Sequence, residues 1–155
     1  IEGGRRHIAT IAGPQDMPPG VDRLQGWRSA LLHAGLSDSL AETGDFTVVS
    51  GAVAMRRLLD RGKPLDGLFA ANDQMAAGAY SVIKERGLRI PEDIAVVGFD
   101  DDYYATSLSP ALTTIHHPIA ALGEKMAELL VELIEGRPAE RIHRLPTSLV
   151  VRESA

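Results

Sequence analysis

The chain has 155 residues, 45% of them hydrophobic and 24% charged, enough for one sizeable α/β core and too few for two comfortable domains. Sixteen Lys and Arg stand against 21 Asp and Glu, a formal net charge of −5, which argues against this piece gripping nucleic-acid phosphates by itself. It has no cysteine, which rules out disulfides and thiolate metal sites and agrees with a cytoplasmic location, and no apolar run nears the ~20 residues of a membrane span.

The opening Ile1-Glu2-Gly3-Gly4 carries no methionine, and the natural start is expected upstream. Residues 7–13 (HIATIAG) form a nearly continuous apolar run, as buried parallel strands do. Residues 22–34 follow as a helix, with Leu24, Trp27, Ala30, Leu31 and Ala34 on one face and Trp27 packed in the core. The next stretch admits two readings: residues 46–50 (FTVVS) have strand propensity, and residues 39–44 can equally supply the strand. A second helix is predicted over 53–61, through Met55, Leu58 and Leu59. Residues 67–71 (GLFAA) read as another buried strand. A helix over 73–86 follows through Met75, Ala76, Ala79, Val82 and Ile83, with Asn72 or Asp73 able to cap it.

Residues 94–100 (IAVVGFD) and 112–115 (LTTI) are the next strands. Beyond His116-His117-Pro118 lies a long helix, 119–135, whose stripe of Ile119, Leu122, Met126, Leu129, Leu130, Leu133 and Ile134 must bury against something. A last strand is predicted over 148–152. Gly35, Gly62, Gly87 and Gly136 stop the helices, and Pro64, Pro91 and Pro138 follow three of them. Strand and helix alternating at this spacing predict an α/β fold with a parallel sheet flanked by helices.

In an open parallel sheet, ligands sit at the carboxyl ends of the strands. Asp100 ends one strand, Asn72 ends another, and Arg23 lies in the connection after the first, so all three should face one edge. Carboxylate, carboxamide and guanidinium are planar groups that make paired hydrogen bonds to neighbouring hydroxyls, a carboxylate or a purine edge. Plainer readings stand beside this one. Asn72 can simply cap its helix, Asp73 can be a helix-start charge, and Asp100 can be a turn residue beside Asp101 and Asp102. Arg23 can be a solvated first-turn arginine. Enzyme readings fare worse. Ala12-Gly13-Pro14 lacks the spacing and the lysine of a phosphate loop, no Ser-His-Asp or Cys-His arrangement is legible, and the histidines fit no metal spacing. No catalytic residue, cofactor or metal is expected.

Six strings occur in order across nearly the whole chain: IAGP (11–14), RLQGW (23–27), FAANDQMAAGA (69–79), GLRIPEDIAVVGFDD (87–101), PALTTI (110–115) and LPTSLVVRES (145–154). Together they resemble the lactose-repressor family of bacterial transcriptional regulators. The resemblance implies a periplasmic-binding-protein-like core of two lobes with a small-molecule cleft between them. Residues 1–117 and 146–155 would form the carboxyl-terminal lobe, the chain would cross between lobes near His117-Pro118 and Leu145-Pro146, and 118–145 would belong to the amino-terminal lobe. The helix-turn-helix that reads DNA would lie outside this chain.

The resemblance also implies that Arg23, Asn72 and Asp100 hold an effector, a sugar first and a nucleobase second. Phe46 would be an aromatic platform for it and His117 a further hydrogen-bonding partner, although Phe46 can equally be a core side chain. A homodimer is expected through Ala77, Tyr80, Ser81 and Lys84 on the helix over 73–86 and through Leu108 in the loop near 104–108. Two other functions compete: a sugar transporter's solute-binding protein, which shares the two-lobed architecture, and, from the enzyme class, a flavodoxin-like phosphate-transfer domain.

Overall fold

The computed structural model describes residues 4–138 and 142–155; Ile1, Glu2, Gly3 and positions 139–141 of the segment 118–145 lie outside the described residues. Six strands form one sheet: β1 (Ile8–Ala12), β2 (Ala41–Thr43), β3 (Gly67–Ala70), β4 (Ala95–Asp100), β5 (Thr113–His116) and β6 (Ser148–Val150), in the order β2-β1-β3-β4-β5-β6. The first five are parallel, as the alternation of strand and helix predicts, but β6 pairs antiparallel with β5.

The helices between strands are α1 (Pro18–His33), α2 (Val48–Asp60), α3 (Asp73–Glu85), the short α4 (Tyr103–Ser107) and α5 (Ile119–Ile134). Alternation along the strands sorts the core into two layers. Ala9, Ile11, Leu68, Ala70 and Val96 point toward α2 and α3 and join Met55, Leu58, Met75, Tyr80 and Ile83 in the larger cluster. Ala12 and, partly buried, Ile8 and Phe69 point the other way, where α1 supplies Leu24, Trp27 and Leu31. Trp27 is a core residue, 6% exposed.

Two starts differ from the sequence pattern. The strand after α1 is the 39–44 choice, and FTVVS opens a helix: Thr47 caps α2 by accepting from the Ser50 N–H at 3.2 Å. The β-branched pair Val48-Val49 has strand propensity, but a local cap and the tertiary fit of α2 decide against it. Helix α1 begins four residues earlier than its apolar face suggests because Pro18 and Pro19 occupy its first positions, where a missing N–H costs nothing. Helix α4 leaves no periodic trace over five residues; Asp102 caps it, accepting from the Tyr104 N–H at 2.8 Å.

Helices α2 and α3 make the most extensive contact between elements, and glycine permits it. A Cβ on Gly78 would lie 2.0 Å from the Val48 carbonyl oxygen, and one on Gly51 would lie 2.2 Å from that of Met75. Gly78→Ala is therefore expected to force the helices apart and cost about 2 kcal/mol. Gly26→Ala, on α1 with open space around it, is expected to stabilise by about 0.5–1 kcal/mol. Urea unfolding of the two variants checks the contrast; equal effects would show that neither space nor propensity governs these sites.

Helix α5 stands apart. None of its residues is buried, and Ile119, Met126, Leu130, Leu133 and Ile134 are all exposed. The stripe is where the sequence places it, but nothing among the described residues covers it. Among those residues, no helix is long and apolar enough to cross a membrane.

Candidate functional site

The strand order reverses between β1 and β3, and the carboxyl ends of β1, β3 and β4 converge there. Arg23 reaches that edge from the second turn of α1. Its Nη1 donates to the Ala71 carbonyl at 2.5 Å and its Nη2 to Asp100 Oδ1 at 3.2 Å. The guanidinium lies over Phe99, with Cζ 3.7 Å from the ring centroid, and 5.9 Å from that of Phe46. Two of its five N–H groups are thus engaged with the chain.

Asp100 sits in a turn of left-handed backbone, φ 114°, followed by Asp101 at φ 60°. Such conformations persist only where surrounding contacts impose them. The Asp101 carboxylate accepts from Arg152 Nη2 at 2.6 Å and lies 3.1 Å from His116 Nδ1. The Asp102 N–H donates to Asp73 Oδ2 at 3.0 Å, and the His117 N–H donates to the Asp100 carbonyl at 3.3 Å.

The three consecutive acids therefore go three ways: Asp100 to Arg23, Asp101 to Arg152 and His116, and Asp102 to the cap of α4. That separation is why they form no metal cluster; among the described residues no group of three His, Asp or Glu is placed to hold one.

Phe46 is the other left-handed residue of the edge, φ 68°. Its ring occupies the space a Cβ on Gly13 would need, 2.2 Å away, so Gly13 makes room for it beside β1. Asn72 fixes its backbone: Asn72 Nδ2 donates to the Phe46 carbonyl at 2.9 Å while Oδ1 accepts from the Met75 N–H at 2.9 Å. Asn72 does cap α3, and at 5% exposure it has one amide N–H outside these two bonds.

Burial presses the Arg23 guanidinium below its ordinary pKa although Asp100 pulls the other way. Burial likewise lifts the Asp100 carboxyl above the usual range although Arg23 opposes it. The two are a desolvated pair, with side chains 15% and 24% exposed, and desolvation makes charged hydrogen bonds to an incoming polar group strong and directional.

Beside the pair, a groove of about 720 Å³ runs along the sheet, lined among others by Arg23, Trp27, Phe69, Val97, Phe99 and His117. The ring of His117 lies 6.4 Å from that of Phe99, tilted by 56°. The edge as a whole offers a cation, an anion, amide donors and two aromatic faces, the inventory of a site for a small polar molecule with apolar flanks.

All five residues singled out as effector contacts, Arg23, Phe46, Asn72, Asp100 and His117, come together at this one edge. Two that matter here were not singled out. Phe99 is the face on which Arg23 rests; alternation in β4 puts it on the α1 side with Val97, and that was legible. Asp73 is completely buried, which the sequence pattern of a helix start does not reveal.

The surface expected to meet a second copy needs correction. Tyr80 is 2% exposed and Ala77 7%, because α3 packs against α2, the sheet and α4 at once. Ser81 and Lys84 are exposed and Leu108 is half-buried; Lys84 Nζ donates to the Ser109 carbonyl at 2.6 Å.

Residues 1–155 match the periplasmic binding protein-like domain family. The chain is 50% identical over 157 residues to the HTH-type transcriptional regulator CelR of Thermobifida fusca, an alignment covering 99% of this chain and 46% of CelR. It is 39% identical over 155 residues to the ribose operon repressor of Escherichia coli (strain K12), covering 99% and 47%. Among solved structures, a CelR–cellobiose complex matches at TM-score 0.95 and 50% identity, covering all of this chain and 48% of that one. A lac repressor dimer bound to operator and the anti-inducer ONPF matches at TM-score 0.92 and 35% identity, covering 97% and 53%. The chain spans about half the length of the curated relatives it matches.

Proposed function

The chain belongs to the family of periplasmic binding protein-like domains carried by lactose-repressor-type regulators, and from that premise we propose that it is the effector-sensing, carboxyl-terminal lobe of a sugar-responsive transcriptional repressor. The observation that carries the reading is the Arg23–Asp100 pair, desolvated, stacked on Phe99 and placed where β1, β3 and β4 end. Arg23 and Asp100 bind adjacent hydroxyls of the sugar, Phe46 covers its C–H face, and Asn72 and His117 complete the ring of polar contacts. No catalytic step is assigned.

Residues 1–117 and 146–155 form this lobe, and 118–145 pack with the amino-terminal lobe of the whole protein. Supporting this, α5 begins directly after Pro118 and leaves its apolar side bare. The effector stabilises one arrangement of the two lobes and so shifts how a homodimer, joined through the exposed Ser81 and Lys84 of α3 with the half-buried Leu108 beside α4, presents its DNA-reading modules in the cytoplasm. DNA contact belongs to the part of the protein outside this chain, in keeping with the net charge of −5.

The test is a thermal-shift series on the intact protein with cellobiose, ribose and adenosine. A saturable rise with a sugar is expected, worth about 2.7 kcal/mol at a hundred times its Kd, with cellobiose the first choice because the CelR structure holds it. A rise with adenosine alone moves the effector to the nucleoside class. No rise with any of the three overturns the sensor reading.

A further inference from the structure

We propose that Asp73, at the head of α3, is a positioning residue for the effector site: it holds the left-handed turn that presents Asp100, without touching the effector itself. The proposal rests on the reading of Arg23 and Asp100 as effector contacts. Asp73 is 0% exposed, so neither solvent nor a ligand in the cleft reaches it. A carboxylate in such a place is costly, and hydrogen bonds to both oxygens offset part of that cost: Oδ1 accepts from the Thr114 hydroxyl at 2.6 Å, and Oδ2 accepts from the Asp102 N–H at 3.0 Å.

These contacts bracket Asp100. Asp102 lies two residues beyond it, on the far side of the φ 114° and 60° pair. Gly98 lies two residues before it, and a Cβ there would sit 2.2 Å from Asp73 Oδ1. The missing side chain of Gly98 is thus the space the carboxylate fills. Thr114 is the partner of Gly98 in the β4–β5 register, so the acid ties the turn to the neighbouring strand as well.

Capping does not explain Asp73, because Asn72 already caps α3. The two neighbours divide the edge between them: Asn72 fixes the backbone of Phe46, and Asp73 fixes the backbone beyond Asp100. An ordinary buried side chain would stabilise the fold evenly. A positioning residue acts on one turn.

The experiment compares Asp73→Ala, Asp73→Asn and Thr114→Val with wild type in the intact protein, by calorimetric titration with cellobiose and by amide hydrogen exchange without ligand. Asp73→Ala is expected to weaken cellobiose binding on the order of 10- to 100-fold and to accelerate exchange at residues 101–103 by about tenfold or more, with β1 and β3 unchanged. Asp73→Asn restores both, because its carboxamide oxygen accepts from Asp102 while its NH₂ donates to the Thr114 oxygen. Wild-type affinity in Asp73→Ala, no rescue by asparagine, or exchange rising equally across the sheet overturns the proposal.

The exchange arm is independent of ligand identity. If wild type itself ignores cellobiose, that choice of sugar fails while the positioning role is still decided. If Asp73→Ala does not fold, Thr114→Val decides: faster exchange confined to the turn supports the role, and unchanged exchange there ends it.

Discussion

Asp100→Ala is expected to weaken effector binding by on the order of a hundredfold or more while leaving the domain folded. The substitution removes one acceptor for the effector and strands a guanidinium. Arg23, 15% exposed at its side chain, would keep the Ala71 carbonyl and the Phe99 face but lose its counter-charge. Truncating one member of a buried, hydrogen-bonded charge pair costs about 2–5 kcal/mol in a binding site, and about 1.4 kcal/mol is tenfold in affinity.

Alanine at φ 114° adds local strain of about 1 kcal/mol, so Asp100→Asn is the companion. Asparagine tolerates that backbone and removes only the charge, and about a tenfold loss is expected. Titration with cellobiose, paired with thermal melts, reads both. Undiminished affinity in Asp100→Ala would falsify the assignment of Asp100 to the effector.

Asp73→Asn is expected to stabilise the protein at neutral pH and not in acid. Burial lifts the Asp73 carboxyl from 3.8 to about 6, against the hydrogen bonds from Thr114 and Asp102, with the Asp102 and Asp100 charges adding to the rise. Arg23 is the cation across from it. Because the folded-state pKa is the higher one, the native protein binds more protons than the unfolded chain between pH 4 and 6. Stability is therefore lost as pH rises through that window, and above pH 6 the loss is complete. At about 1.36 kcal/mol per pH unit the full effect is about 3 kcal/mol. Asparagine carries no charge and escapes it. The gain over wild type should be near zero at pH 4 and greatest above pH 6, measured by urea midpoints across that range. A gain that does not change with pH would mean Asp73 carries no proton-linked cost.

Much of this was open to inspection in the residues alone. β1, β3 and β4 announce themselves as apolar runs between glycine stops, and the rule that ligands sit at the ends of parallel strands brings Arg23, Asn72 and Asp100 to one edge without coordinates. What stayed hidden was decided between elements. Val48 and Val49 have strand propensity, and what turns them into helix is in part non-local: the Gly51 and Gly78 contacts lie between α2 and α3. Tyr80 looked like a surface residue because helical periodicity describes one covered side, whereas α3 is covered on three. The burial of Asp73 follows from an empty position on β4, Gly98, which no pattern within α3 encodes.

The two glycines at the α2–α3 crossing reach further than packing. Phe46 stands just ahead of α2, and Asn72 and Asp73 open α3, so the parts that line the rim on that side are the leading ends of two helices locked backbone to backbone. Moving one of them means moving both, so a guest at the proposed site would meet a wall largely ordered before it arrives, and little of its binding energy would go into ordering the host.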